Sequence, residues 1–139
     1  MTPTFPDWAS RYVGIPFVPH GETHDGVDCW GLLSLVYWEV FKRPLPPYPG
    51  IRWNVGQDEG PIADGARQYM TQFEPVELGR EQVGDGVMLR MAGLPVHVGL
   101  VVAPGWMLHA SIGAASVIES FQRSTWKKRV LGIYRYRAQ

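Results

Sequence analysis

The sequence predicts an α+β protein, and three observations carry that prediction. A strongly apolar helix opens at the only cysteine, helical spacing is confined to the first half, and the second half reads as short strands. The strands are rich in branched and aromatic residues and are separated by Gly, Pro or polar turns. Helices followed by an antiparallel sheet is the order of an α+β fold.

The central helix is the best-defined element. From Cys29, the positions Leu32, Leu33, Val36, Tyr37, Val40 and Phe41 recur at steps of three and four, which is one helical face. A second row, Trp30, Ser34 and Trp38, runs down the opposite side, so the helix is expected to be covered on both faces. Asp28 is a good N-cap because its carboxylate accepts from the unpaired N–H groups of the first turn. Lys42, Arg43 and Pro44 end the helix.

The other elements follow in order. Residues 7–12 form a short helix with Trp8 and Tyr12 on one side, leading into Val13-Gly14-Ile15-Pro16-Phe17. Residues 20–26 have the Gly and Asx content of a surface loop. Pro44, Pro46, Pro47 and Pro49 make residues 44–60 an irregular connection, long enough to suggest a functional rim. A second helix starts at Pro61, carries Ile62, Ala66, Tyr69, Met70 and Phe73 at helical spacing, and ends before Pro75. Strands are expected over 87–91, 96–102, 106–110, 116–121 and 130–136.

Composition bounds the function. The 139 residues suit one domain with a sizeable core, and 13 basic residues balance 13 acidic ones. No general attraction to nucleic acid or anionic membrane is implied, and Lys127-Lys128-Arg129 reads as a solvated turn. A single cysteine excludes an intrachain disulfide. Residues 1–7 lack the basic and apolar regions of a secretory signal, and no apolar run approaches the roughly 20 residues of a membrane span. The expectation is a soluble chain without a Sec-type address.

A thiol at a helix N-terminus is chemically unusual. The N–H groups and the positive dipole end favour thiolate, and a free cysteine pKa of about 8.5 can fall there to roughly 3.5–7.5. The same N–H groups can bind a developing oxyanion. On the helix alone, an inert buried thiol is the commoner fate of a lone cysteine.

The histidines supply possible partners. Strand alternation puts His97, Gly99 and Val101 on one face, and His109 shares its face with Met107. A hairpin register centred on Ala103 sets His97 directly opposite His109, with Cβ atoms about 4.5–5.5 Å apart. The competing register closes a two-residue Pro104-Gly105 turn and sets Leu100 opposite His109. It is disfavoured because two-residue hairpins need positive φ at their first central position, where Pro fixes φ near −65°. One imidazole can then act as base while the other fixes its tautomer. Taken singly, each is more often a hydrogen-bonded structural residue.

His20 and His24 lie near Asp28 and Cys29, but their spacing fits no compact zinc pattern, and no metal or other cofactor is expected. Trp30, Trp38, Trp53, Trp106 and Trp126 read as core or cleft wall.

Asp28-Cys29-Trp30-Gly31-Leu32, His97-Val98-Gly99-Leu100-Val101 and Leu108-His109-Ala110 together resemble the signature blocks of NlpC-type cell-wall peptidases, which are papain-like cysteine peptidases. Gly14-Ile15-Pro16-Phe17 and Gly84-Asp85-Gly86-Val87 also match that family in position and character. The resemblance implies a papain-like fold with Cys29 as nucleophile, His97 as base and His109 as orienting member. Asp28 would cap the helix and contact substrate, with Trp30 and Phe17 also on the substrate side. It further implies hydrolysis of the peptidoglycan stem peptide between γ-D-glutamate and a diamino acid. Two departures stand out. Phe17 occupies the place of a Tyr whose hydroxyl assists the oxyanion or substrate, so Tyr12 or a loop residue would have to supply that group. Trp30 replaces the Ser that in relatives holds the peptide amine.

The short form with Trp after the cysteine is similar to the branch encoded by tailed phages and gene transfer agents. That likeness implies tail proteins as partners, and a path from the cytoplasm into the tail of the particle. Two alternatives remain open at this level. One is an amidase or acyltransferase using the same Cys-His pair on another amide; the other is a structural tail component that binds without turnover.

Overall fold

The structure, a computed structural model, describes residues 3–46, 72–91, 94–123 and 125–137. A 3₁₀ helix, Asp7–Tyr12, leads into a small hairpin of β1 (Glu22–Thr23) and β2 (Gly26–Val27), then helix α1 (Cys29–Val36). Strands β3 (Phe73–Val76), β4 (Gly86–Met91), β5 (Leu94–Ala103), β6 (Trp106–His109), β7 (Val117–Ser120) and β8 (Val130–Tyr136) form one antiparallel sheet in the order β3-β8-β4-β5-β6-β7.

Strand alternation divides the core in two. Val98, Leu100, Val102, Leu108 and Ala110 face α1, where they bury Leu32, Leu33 and Val36 together with Ile15 and Tyr12. The other face carries Val87, Leu89, Val101, Met107, Phe121, Trp126 and Ile133. Each fully buried Leu, Val or Phe contributes about 1.5–3 kcal/mol, so both layers hold the sheet. A bidentate pair, Arg135 to the buried Asp85 at 2.9 Å for each bond, ties β8 to the start of β4.

Several expectations are corrected. The central helix is α-helical only to Val36 and continues as a π turn, Tyr37–Phe41, ending at Lys42 with a left-handed φ of 57°. The wider turn departs from the four-residue row, so Trp30 is buried, Ser34 is half-buried and Trp38 is 62% exposed. The helix is therefore not covered on both faces at its C-terminal end. The expected loop over 20–26 contains the β1–β2 hairpin, whose Val27 also bridges Phe17. Phe73, read as the last turn of a second helix, begins β3. Pro75 sits within that strand because β3 is a sheet edge, where a missing N–H breaks no ladder. Positions 61–71 of that helix, Trp53 and positions 47–60 of the proline-rich connection lie outside the described residues.

The β5–β6 hairpin also differs from the expected register. Its pairs are Leu100 with Leu108, Val101 with Met107, and Ala103 with Trp106, so the turn is the two-residue Pro104-Gly105. Gly105 has φ 83°, and Pro followed by such a Gly is a type II turn. A bulge at Val102 accommodates the turn, and the Gly105 N–H is held by buried Glu81 at 2.9 Å. The extra residue restores the side-chain parity that a plain two-residue hairpin would reverse. His97 and His109 therefore share a face, but diagonally, with His109 level with Gly99.

Candidate active site

The thiol half of the site is built by the helix start. Asp28 Oδ1 accepts from the Gly31 N–H at 2.6 Å, and Oδ2 accepts from the His20 N–H at 3.0 Å. One carboxylate thus caps α1 and clamps the preceding loop onto its first turn. Only glycine fits at 31, because a Cβ there would run into the Gly21 carbonyl oxygen.

Cys29 is 2% exposed, and burial pushes its thiol up to about 12. Hydrogen bonding from the peptide groups of Val98, Trp30 and Cys29 itself works in the opposite direction, while the Asp28 carboxylate adds to the rise. Desolvation outweighs those groups, so the shift runs opposite to the one a helix N-terminus alone favours. The cap that orders the helix start also brings a negative charge to the sulfur.

The histidine half lies on the other face of the sheet. His97 Nε2 and His109 Nδ1 are 2.8 Å apart, and both rings are buried. The Trp126 ring stacks on His97 at 5.7 Å and 21°, and meets His109 edge-on at 5.0 Å. His109 Nε2 lies 3.0 Å from Glu119 Oε1, and Trp126 Nε1 donates to Glu119 Oε2 at 3.0 Å. Burial, followed by the neighbouring His109, pushes His97 down to about 3. His109 is also lowered by burial, against an opposing effect of Glu119. Both rings are neutral near pH 7.

The two halves meet at Val98, which follows His97 in β5 and whose peptide group interacts with the Cys29 sulfur. No direct hydrogen bond joins Cys29 to His97 among the described residues, and His97 Nδ1 is engaged by none of them. Nδ1 is the ring nitrogen that His97 does not share with His109.

A model of the NlpC/P60 family matches residues 14–135. The chain belongs to the NlpC/P60 family. Among curated relatives it is 25% identical over 131 residues to the gamma-DL-glutamyl hydrolase of Bacillus subtilis (strain 168), covering 92% of this chain and 28% of that protein. It is 24% identical over 131 residues to murein DD-endopeptidase MepS/murein LD-carboxypeptidase of Escherichia coli (strain K12), covering 90% and 55% respectively. The chain thus spans only part of either relative. Among solved structures, an NLP/P60 family protein from Staphylococcus aureus subsp. aureus Mu50 superposes with a TM-score of 0.67 at 21% identity, over 96% of this chain and 40% of the other. The NlpC/P60 fold is the α+β papain-like arrangement, one helix on an antiparallel sheet.

The remaining residues singled out in the sequence are placed as follows. Trp30 is buried, donates to the Pro46 carbonyl at 3.2 Å and packs edge-on against Phe73. Phe17 is partly buried against the helix-side core. Both Asp28 oxygens are committed within the chain. The Tyr12 hydroxyl donates to Glu39 at 2.8 Å, about 15 Å along the helix from Cys29, so it does not supply the group missing at Phe17. His24 stacks on Tyr12 and bonds Glu39 at 2.7 Å, whereas His20 contributes its peptide N–H to Asp28. Glu119 was not singled out in the sequence. Its signal was available in the β6–β7 pairing, because Met107 opposite Glu119 puts that carboxylate on the histidine face.

Proposed function

We propose that this chain is a cysteine peptidase acting on the stem peptide of peptidoglycan, with Cys29 as nucleophile, His97 as base and His109 orienting His97. The observation that carries the reading is the His97–His109 hydrogen bond, one residue along β5 from Val98, whose peptide group interacts with the Cys29 sulfur. Both groups are neutral at rest, so activation is by proton transfer during attack rather than by a standing thiolate. The sulfur attacks the amide carbon as His97 Nδ1 takes the thiol proton. The C–N bond then breaks as that proton passes to the leaving amine. Water, deprotonated by His97, attacks the thioester, and the released thiol regains the proton. In this reading the oxyanion is held by N–H groups of the helix start other than that of Gly31, which is committed to Asp28.

The bond between γ-D-glutamate and the diamino acid is the proposed target, and the likeness to the Bacillus gamma-DL-glutamyl hydrolase supports it. The Escherichia relative is named for a DD bond and a terminal carboxypeptidase step, which are the rival targets. Trp30 after the cysteine supports placing the protein with phage and gene transfer agent tail-tip proteins, whose partners would be tail subunits. A second reading, a binding component without turnover, is favoured by one observation, the buried thiol with its raised pKa.

The test is mass spectrometry of muramidase-released muropeptides after incubation with wild type and with Cys29→Ala. New stem-peptide fragments with wild type alone are expected, and their masses name the bond. Equal turnover by the variant overturns the mechanism. No fragments from either protein favours the binding component.

A further inference from the structure

The histidine pair does not end at His109. Glu119 on β7 accepts from the His109 ring through one carboxylate oxygen and from the Trp126 indole through the other, at 3.0 Å each. Resting on the peptidase reading above, we propose that Glu119, braced by Trp126, is a positioning residue that sets the tautomers of both histidines.

The argument follows the protons. An ionised carboxylate only accepts, so it selects His109 with its proton on Nε2. His109 Nδ1 then carries a lone pair and accepts from His97 Nε2–H across the 2.8 Å contact. That leaves the His97 lone pair on Nδ1, the nitrogen not shared with His109. Without the carboxylate, the shared proton of the pair can sit on either ring. In the reversed order, His97 Nδ1 is protonated and cannot accept from a thiol. The indole donor fixes the carboxylate, and the same Trp126 ring packs against both imidazoles, so the rotamers of all four side chains are interdependent. Glu119 is also the only carboxylate that bonds either ring among the described residues. When His97 becomes an imidazolium, its charge is balanced by the Glu119 carboxylate through His109, with no proton passing to Glu119.

The experiment combines imidazole ¹⁵N chemical shifts with kinetics in wild type, Glu119→Gln and Glu119→Asp. Wild type should show His97 and His109 both protonated on Nε2. In Glu119→Gln, which preserves volume, the amide cannot accept from the indole and the imidazole together. The histidine signals should move toward the other tautomer or an average. Stem-peptide cleavage should lose roughly 10- to 100-fold in kcat with KM within about threefold. Glu119→Asp should recover part of the wild-type tautomer signal and of kcat. Unchanged tautomers in a folded Glu119→Gln protein overturn the proposal, as does a kcat within twofold of wild type. The spectra need no turnover, so the tautomer assignment is tested even if Cys29→Ala shows that the peptidase reading is wrong.

Discussion

Replacing Asp28 separates a structural role from a substrate contact. Asp28→Ala removes the acceptor for the Gly31 N–H and the acceptor for the His20 N–H. Loss of an N-cap costs about 1 kcal/mol, and the His20 donor, which is only part-buried, adds about 1 kcal/mol more. With the lost charge at the helix start, the total comes to roughly 2–3 kcal/mol. For a domain of this size that is a fall in Tm of about 6–12 °C. Asp28→Asn keeps an oxygen for Gly31 but turns a donor toward His20, and should lose about half as much. Urea denaturation with a fitted m value is the assay, with KM measured on a muropeptide in parallel. The same variants should make the Cys29 thiol easier to ionise, because the Asp28 charge is one cause of its raised pKa. Asp28→Ala with stability within 0.5 kcal/mol of wild type and a KM raised tenfold would refute the reasoning and return Asp28 to the substrate side.

Further expectations concern the same site. Gly31→Ala must displace the Gly21 carbonyl and should destabilise the domain by about 1–3 kcal/mol or more, read by thermal unfolding; an unchanged Tm would show that the loop yields freely. Because His97 is depressed to about 3, its contribution to stability is present above pH 6.5 and lost as pH falls toward 3. Urea midpoints should therefore drop over that window by more in wild type than in His97→Asn, and parallel curves would contradict the shift. With its thiol near 12, Cys29 should react with iodoacetamide at pH 7.5 about a thousandfold more slowly than free cysteine, with the rate still climbing at pH 10. A fast plateau below pH 8 would instead reveal a standing thiolate.

Local pattern made much of this architecture legible. The spacing from Cys29 to Phe41 located the central helix, and period-two alternation separated Val98, Leu100 and Val102 from His97 and Val101, which is how the two core layers divide. What escaped depended on context that the local pattern does not carry. Pro75 reads as a breaker until β3 is known to be an edge. Pro104-Gly105 reads as a poor hairpin turn until the Val102 bulge is seen. The expected and observed β5–β6 registers share parity, so both put His97 and His109 on one face. At Cys29 burial opposes the helix N-terminus, and of the two only the N-terminus is visible in sequence, whereas full burial against β5 is not. Glu119 lies one strand further on, and its place on the histidine face depends on the β6–β7 register, which local pattern does not fix.

The central claim, that Cys29 forms the covalent intermediate under the control of His97, is tested most directly by trapping that intermediate. Acid-quenched protein incubated with a stem-peptide substrate is analysed by intact and peptide mass spectrometry, using wild type, Cys29→Ala and His97→Ala. The account predicts an acyl adduct on the Cys29 peptide in wild type, none in Cys29→Ala, and greatly slowed formation in His97→Ala. Product released with no adduct on Cys29, and at the wild-type rate from Cys29→Ala, would contradict it.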